Sequence, residues 1–205
     1  MKIAVYNHAS IKLKEEKTIY IDPYNIENNY NDADYIFITH DHYDHFDEES
    51  INKVKNKETK IIIPKAIEEQ TKNITPNVLV VEPNETYEID NIKFDTIESY
   101  NINKQYHPKE NKNVGYNISI NKKRYYIMGD TDRTKETDEV KTDVCFVPIG
   151  GTFTMDVKEA IEYINYIKPK KAIPIHYGSL VGAKSLGEEF KAKIDKNIEV
   201  ELLIN

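Results

Sequence analysis

The run Thr39-His40-Asp41-His42-Tyr43-Asp44-His45-Phe46 constrains this chain more than any other stretch. It holds three of the six histidines and two aspartates, and it directly follows the apolar run Tyr35-Ile36-Phe37-Ile38. A strand alternates its faces, so His40 and His42 point the same way if the extended chain persists through Asp41. A turn at Tyr43 to Asp44 then brings Asp44 and His45 to the same place. Imidazole nitrogen and carboxylate oxygen are the ligands that Zn²⁺ and similar divalent ions accept. The plain alternative is a solvated polar loop, but imidazoles and carboxylates crowded together without a cation leave several groups poorly satisfied. Four donors are too few for two coordination shells, so further ligands must come from elsewhere in the chain.

At 205 residues the chain is long enough for one domain with a sizeable core, and a single domain over residues 1–205 is expected. With 39% hydrophobic and 31% charged residues it reads as globular. No apolar run reaches the length of a membrane span, and the start Met1-Lys2-Ile3-Ala4-Val5-Tyr6-Asn7-His8 lacks the apolar core of a signal peptide. A cytoplasmic protein with no membrane partner is therefore expected. Cys145 is the only cysteine, so no intrachain disulfide can form, and its apolar surroundings Val144 to Val147 mark it as a small buried hydrophobe. A formal charge of −7 argues against a large non-specific nucleic-acid surface. Homo-oligomerisation is left open.

Hydrophobic patterning predicts strands at 3–6, 10–14 and 18–21, which could form a meander, then at 60–63, 78–81, 86–89 and 92–97. Short helices are expected at 48–55 and 65–72. Asp22 closes the third strand, where it either orients a histidine ligand or simply starts a turn before Pro23. Residues 100–113 follow neither period and should form a loop of the length that often carries function; it contains His107. A hairpin joins 114–120 to 124–128 around Asn121-Lys122-Lys123 and leads into Gly129-Asp130-Thr131-Asp132. A buried strand at 144–149 ends at Gly150-Gly151. The clearest helix starts from a capping box of Asp156 and Glu159 and carries an apolar face of Val157, Ala160, Ile161, Ile164 and Ile167. A strand at 171–175 leads to His176, and a helix at 188–194 and a strand at 199–204 close the chain. Metal-type ligands thus recur just past strands. Taken singly, His176 reads as structural and Asp130 as a turn residue; the recurrence favours a strand-edge site.

These segments, together with Pro148-Ile149-Gly150-Gly151, Met155-Asp156, Pro174-Ile175-His176-Tyr177-Gly178, His8-Ala9-Ser10 and Asp22-Pro23, resemble the metallo-β-lactamase superfamily over nearly the whole chain. The closer resemblance is to its branch of small metal-dependent hydrolases similar to ascorbate-6-phosphate lactonase. The resemblance implies an α+β fold, a four-layer αββα sandwich, with two metals at the upper edge of the paired sheets. It assigns His40, His42 and His107 to one metal and Asp44, His45 and His176 to the other, with Asp130 bridging. The chain departs from the pattern twice. Asn101 stands about where the family often has its third histidine, and Ile127 stands where the branch commonly has a histidine.

The implied activity is that of a dinuclear hydrolase. Two divalent ions, zinc first and manganese or iron as alternatives, would give a bridging hydroxide, with Asp44 orienting it. The expected substrate is a small ester, lactone or phosphodiester bearing phosphate. His8, the histidine left over, is a candidate general acid or else a structural residue. Arg133, Tyr106, Tyr177 and Lys184 are candidate substrate contacts. The competing readings are an RNA- or DNA-processing phosphodiesterase of the same fold and a non-catalytic metal-binding sensor.

Overall fold

The computed structural model describes residues 1–204. The chain divides into two compact units, Met1–Glu82 and Pro83–Asn205.

The N-terminal unit is a six-stranded sheet in the order β1 to β6: β1 Lys2–Asn7, β2 Ser10–Lys14, β3 Thr18–Ile21, β4 Ala33–Phe37, β5 Lys55–Pro64 and β6 Val78–Val81. The first three strands form the expected meander, and β3 to β6 are parallel. β1, β3 and β4 therefore run the same way, and their C-terminal ends share one edge of the sheet. On one face Ile36, Ile38, Ile61 and Ile63 pack with Ile51 and Val54 of helix α1 (Glu48–Val54). The alternate residues Ile11, Leu13, Ile19, Ile21, Tyr35, Phe37 and Ile62 are buried too. Each such side chain contributes roughly 1.5–3 kcal/mol.

β5 starts five residues before the apolar run at 60–63, because its first half is held by side chains. Thr59 Oγ1 and Asn56 Nδ2 donate to Ala33 O at 2.6 and 3.0 Å. Hydrophobic periodicity carries no trace of such bonds. The helix expected at 65–72 is a 3-10 turn at Lys65–Ile67 followed by a single α-turn, α2 (Glu68–Thr71).

The C-terminal unit is a seven-stranded sheet in the order β13-β12-β11-β10-β9-β8-β7. The strands are β7 Thr86–Ile89, β8 Ile92–Glu98, β9 Val114–Ile120, β10 Lys123–Ile127, β11 Val144–Pro148, β12 Lys171–Ile175 and β13 Glu199–Val200. β7 to β10 are antiparallel, joined at Asp90-Asn91 and Asn121-Lys122. All four turn residues have positive φ, as a two-residue type I′ hairpin turn requires. β10 to β13 are parallel. β8, β10, β11 and β12 consequently all end at the same edge.

Helix α4 (Val157–Ile167) covers one face of this sheet, and its capping box is as expected: Asp156 Oδ1 accepts from Glu159 N at 2.8 Å, and Glu159 Oε2 from Asp156 N at 2.9 Å. Val157, Ala160, Tyr163 and Ile164 are its buried residues, whereas Ile161 and Ile167 are only partly buried. Tyr163 enters the core because its hydroxyl donates to Thr137 O at 3.0 Å. Thr137 belongs to a short helix, α3 (Lys135–Asp138), that apolar periodicity does not reveal. Helix α5 (Ser185–Lys193) begins before the expected 188, and Gly187 within it lies against the Tyr177 ring. The closing strand is shorter than expected, spanning only Glu199–Val200. Cys145 is fully buried, and burial pushes its thiol pKa up, so it packs as the hydrophobe expected. Among the described residues no helix is long and apolar enough to cross a membrane.

Replacing Asp156 by Ala removes the bond that its carboxylate accepts from Glu159 N at the start of α4 and leaves the one that its backbone N–H donates to Glu159. The expected loss of unfolding free energy in denaturant titration is about 1 kcal/mol. A change within about 0.3 kcal/mol, the noise of such titrations, would show that the cap does not hold the helix.

Candidate metal centre

The N-terminal unit gathers its polar side chains at the ends of β1, β3 and β4. The sheet continues past β4 through Ile38, whose N–H donates to Ile62 O at 2.9 Å. The chain then turns, with His45 N and Phe46 N both donating to His42 O at 2.9 and 2.8 Å. This is the expected turn. It sets the His40 ring centroid 4.7 Å from that of His42 and 4.1 Å from that of His45. One ligand atom each from His8, Asp44 and His45 lies within 4.8 Å of the others.

Asp22, at the end of β3, is 1% exposed and orients this turn. Its Oδ1 accepts from Thr39 N at 2.8 Å, and its Oδ2 accepts from Thr39 Oγ1 at 2.7 Å and from His45 Nδ1 at 2.8 Å. Burial pushes its carboxyl pKa up, against the downward pull of His45 and Thr39. Oδ2 already accepts the Thr39 hydroxyl and accepts from the ring as well, so the His45 proton sits on Nδ1 and the lone pair on Nε2. Thr39 spends its proton on Asp22, so its oxygen accepts from His40 Nδ1 at 2.9 Å and gives His40 the same tautomer. Of the two readings open for Asp22, the geometry gives the orienting one. Thr39 is a positioning residue that the sequence reading left without a role.

In the C-terminal unit, Asp130 follows β10 through Gly129, and His176 follows β12 directly. His176 Nε2 lies 2.9 Å and His107 Nε2 3.4 Å from the same oxygen, Asp130 Oδ2. All three residues are buried. His107 comes from the expected loop and is brought back to the sheet edge. Its Nδ1 bonds Asn101 Oδ1 at 2.9 Å, and its carbonyl accepts from Asn101 N at 2.8 Å. Gly150 leaves room for His176: a Cβ there would sit 2.3 Å from His176 O, 2.6 Å from Val181 Cγ2 and 3.2 Å from His176 Nδ1.

This donor set suits a divalent cation. It consists of imidazole nitrogens and carboxylate oxygens, largely buried, and the Nδ1 bonds of His45 and His107 leave their Nε2 lone pairs toward carboxylate oxygen. Two acceptors facing each other are mutually repulsive until a positive charge lies between them.

The other candidates are placed as follows. His8 is buried, with Nε2 3.1 Å from Asp44 Oδ2. Arg133 forms a two-point pair with Asp138, at 2.6 and 3.0 Å, and stacks over the Tyr166 ring at 4.2 Å. Tyr177 is 2% exposed and belongs to the core cluster under α5. Tyr106 is exposed and meets Phe153 edge-on at 4.6 Å. Lys184 is exposed, with Cγ 3.1 Å from where a Cβ on Gly178 would be. Ile127 is buried within β10.

A family model described as a β-lactamase superfamily domain matches residues 2–176. A UPF0173 metal-dependent hydrolase of Nanoarchaeum equitans is 32% identical over 213 aligned residues, covering 99% of this chain and 96% of the relative. A proposed metal-dependent hydrolase from Parabacteroides distasonis has a crystal structure that matches with a TM-score of 0.82 at 29% identity, over 99% of this chain and 93% of that one. A metallo hydrolase from the archaeon Ignicoccus hospitalis shares the fold, with a TM-score of 0.81 at 20% identity over 98% and 94% of the two chains. The α+β architecture is thus the metallo-β-lactamase fold, as expected. The chain belongs to the metallo-β-lactamase superfamily and, within it, to the UPF0173 family of metal-dependent hydrolases.

Gly150→Ala forces the His176 backbone to move, since a carbonyl oxygen cannot yield as a flexible side chain can. The expected result is an overpacking loss of about 1–3 kcal/mol, with amide shifts centred on residues 176–178 in heteronuclear NMR. An unchanged spectrum there would refute the close approach.

Proposed function

We propose that this chain is a hydrolase working with two divalent cations, zinc first among them. His40, His42 and His107 would hold one cation and Asp44, His45 and His176 the other, with Asp130 contributing to both. The observation that carries this reading is the oxygen Asp130 Oδ2, which lies within 3.4 Å of two imidazole Nε2 atoms. Asp130 would thus be the residue that contributes to the holding of both cations. Bound divalent cations supply a water acidified to near neutral pH and a Lewis acid for the attacked carbonyl or phosphoryl oxygen.

The chain's own residues supply the orientation. Asp22 and Thr39 fix the rings of His45 and His40, and His8 holds the Asp44 carboxylate in place from 3.1 Å. We assign His8 this orienting role before that of general acid, because its ring is wholly buried against Asp44. The substrate we favour is a small ester, lactone or phosphodiester bearing phosphate, as in relatives of ascorbate-6-phosphate lactonase. Lys184, passing Gly178 two residues beyond His176, suits its anionic group, and Tyr106 suits its edge. Arg133 and Tyr177 are set aside as substrate contacts, since the first is engaged by Asp138 and the second is packed in the core.

The test is metal content by elemental mass spectrometry, run beside turnover of lactone and phosphodiester panels. We expect about two ions per chain. Asp130→Ala and His107→Ala should lower the metal content and cut kcat/KM by more than the 10–100-fold typical of lost orienting partners. A metal-replete wild type that binds no ion would overturn the reading. Bound metal without turnover above metal blanks would make the chain a binding protein.

A further inference from the structure

We infer that Asn101 is a positioning residue that sets the tautomer of His107, and so leaves the lone pair of the neutral ring on Nε2, the nitrogen that faces the carboxylate of Asp130. For the consequence at the metal, the inference rests on the ligand assignment proposed above.

The argument starts from the Asn101 amide, which is buried with 6% of its surface exposed. Its Nδ2 donates to Phe153 O at 3.0 Å. A backbone carbonyl cannot donate, so the amide cannot be turned over without setting two acceptor oxygens against each other. With Nδ2 fixed on Phe153, Oδ1 is the atom facing His107 Nδ1 at 2.9 Å. An amide oxygen only accepts, so the His107 proton lies on Nδ1. The lone pair of the neutral ring then lies on Nε2, the atom 3.4 Å from Asp130 Oδ2.

The backbone supports the same arrangement. Asn101 N donates to His107 O at 2.8 Å, which closes the five-residue excursion between them. The first part of the excursion is tied down as well. Asp132 accepts from Ile102 N at 2.9 Å through Oδ2 and from Lys104 Nζ at 2.5 Å through Oδ1. At the far end, Tyr106 rests edge-on against Phe153, the residue whose carbonyl fixes the amide. One asparagine thus links the histidine loop, the 150–155 loop and the ring orientation of His107.

The test uses ¹⁵N-labelled protein at about pH 8, above the ordinary histidine titration, with two-bond ¹H–¹⁵N spectra of the His107 ring and zinc affinity by chelator competition. In the metal-free wild type His107 should be the Nδ1–H tautomer. Asn101→Leu, of similar size but without polar atoms, should give a mixture of tautomers and roughly a 10–100-fold weaker zinc affinity. An Nε2–H ring in the wild type overturns the inference, and that readout needs no variant to fold. Unchanged tautomer and affinity in Asn101→Leu overturn it as well. A wild type with the Nδ1–H ring that binds no zinc would instead sink the ligand assignment and leave the positioning role standing.

Discussion

The Asp22 carboxylate is the interaction on which the N-terminal half of the site depends. Past Ile38 the chain leaves its ladder with β5, yet the metal-type side chains must be held there. Asp22 extends the ladder by other means. Its backbone N–H donates to Phe37 O at 3.0 Å, and its side chain then accepts the next outward-facing donor, Thr39 N. Its Oδ2 fixes His45 directly and His40 through the Thr39 hydroxyl. Taking a carboxylate out of water is costly, and burial does push the Asp22 pKa up. Three hydrogen bonds offset that cost, and removing any one would leave a buried charge poorly satisfied.

The C-terminal unit meets the same difficulty with neutral groups. His107 lies on an irregular loop, and such loops hold ligands poorly unless something rigid supports them. Here the support is the segment after β10. Ser99 Oγ donates to Asp130 O at 3.1 Å, Tyr100 N donates to Thr131 Oγ1 at 3.1 Å, and Asp132 N donates to Tyr100 O at 3.0 Å. The loop is thus stitched residue by residue to the stretch that carries Asp130. A displacement of one is transmitted to the other, so His107 and Asp130 keep their spacing.

What could be read from the sequence divides along physical lines. Strands β2, β3, β6 and β9 follow from alternation or unbroken apolar runs, because burial leaves its period in the residues themselves. The metal-type residues were legible from their chemistry, since His40, His42, Asp44 and His45 crowd too closely to be an accident of composition. Asn101 appeared only as a departure from a family pattern, and its bond to His107 was not visible. Thr39 stood only as the first residue of the metal-type run, and α3 was missed because Thr134 and Thr137 cap it without any apolar stripe. In each case a polar side chain bonds a partner chosen by the fold, and neither spacing nor hydrophobicity records that partner. A threonine directly before a histidine ligand, or an asparagine opening a loop that ends in one, is the signal that could have been weighed.

Backbone conformation adds a last constraint that links the two units by principle alone. His8, Asp22 and His176 each stand just past a strand, and each has positive φ, at 51°, 45° and 59°. For a residue with a Cβ this conformation costs of order 1–3 kcal/mol and persists only where the surroundings impose it. A glycine would relieve the strain, but glycine has no imidazole or carboxylate to offer. The left-handed step turns the chain sharply at the strand's end, so that the next residue leaves the sheet while the side chain stays at its edge. In the case of Asp22 the benefit is visible: the side chain returns to bond Thr39 and His45. For His176 the carbonyl lies against Gly150, where nothing larger fits. Strain at these three positions is therefore the expected consequence of placing functional groups on rigid strand ends, and it is met by local bonds and close packing within each unit.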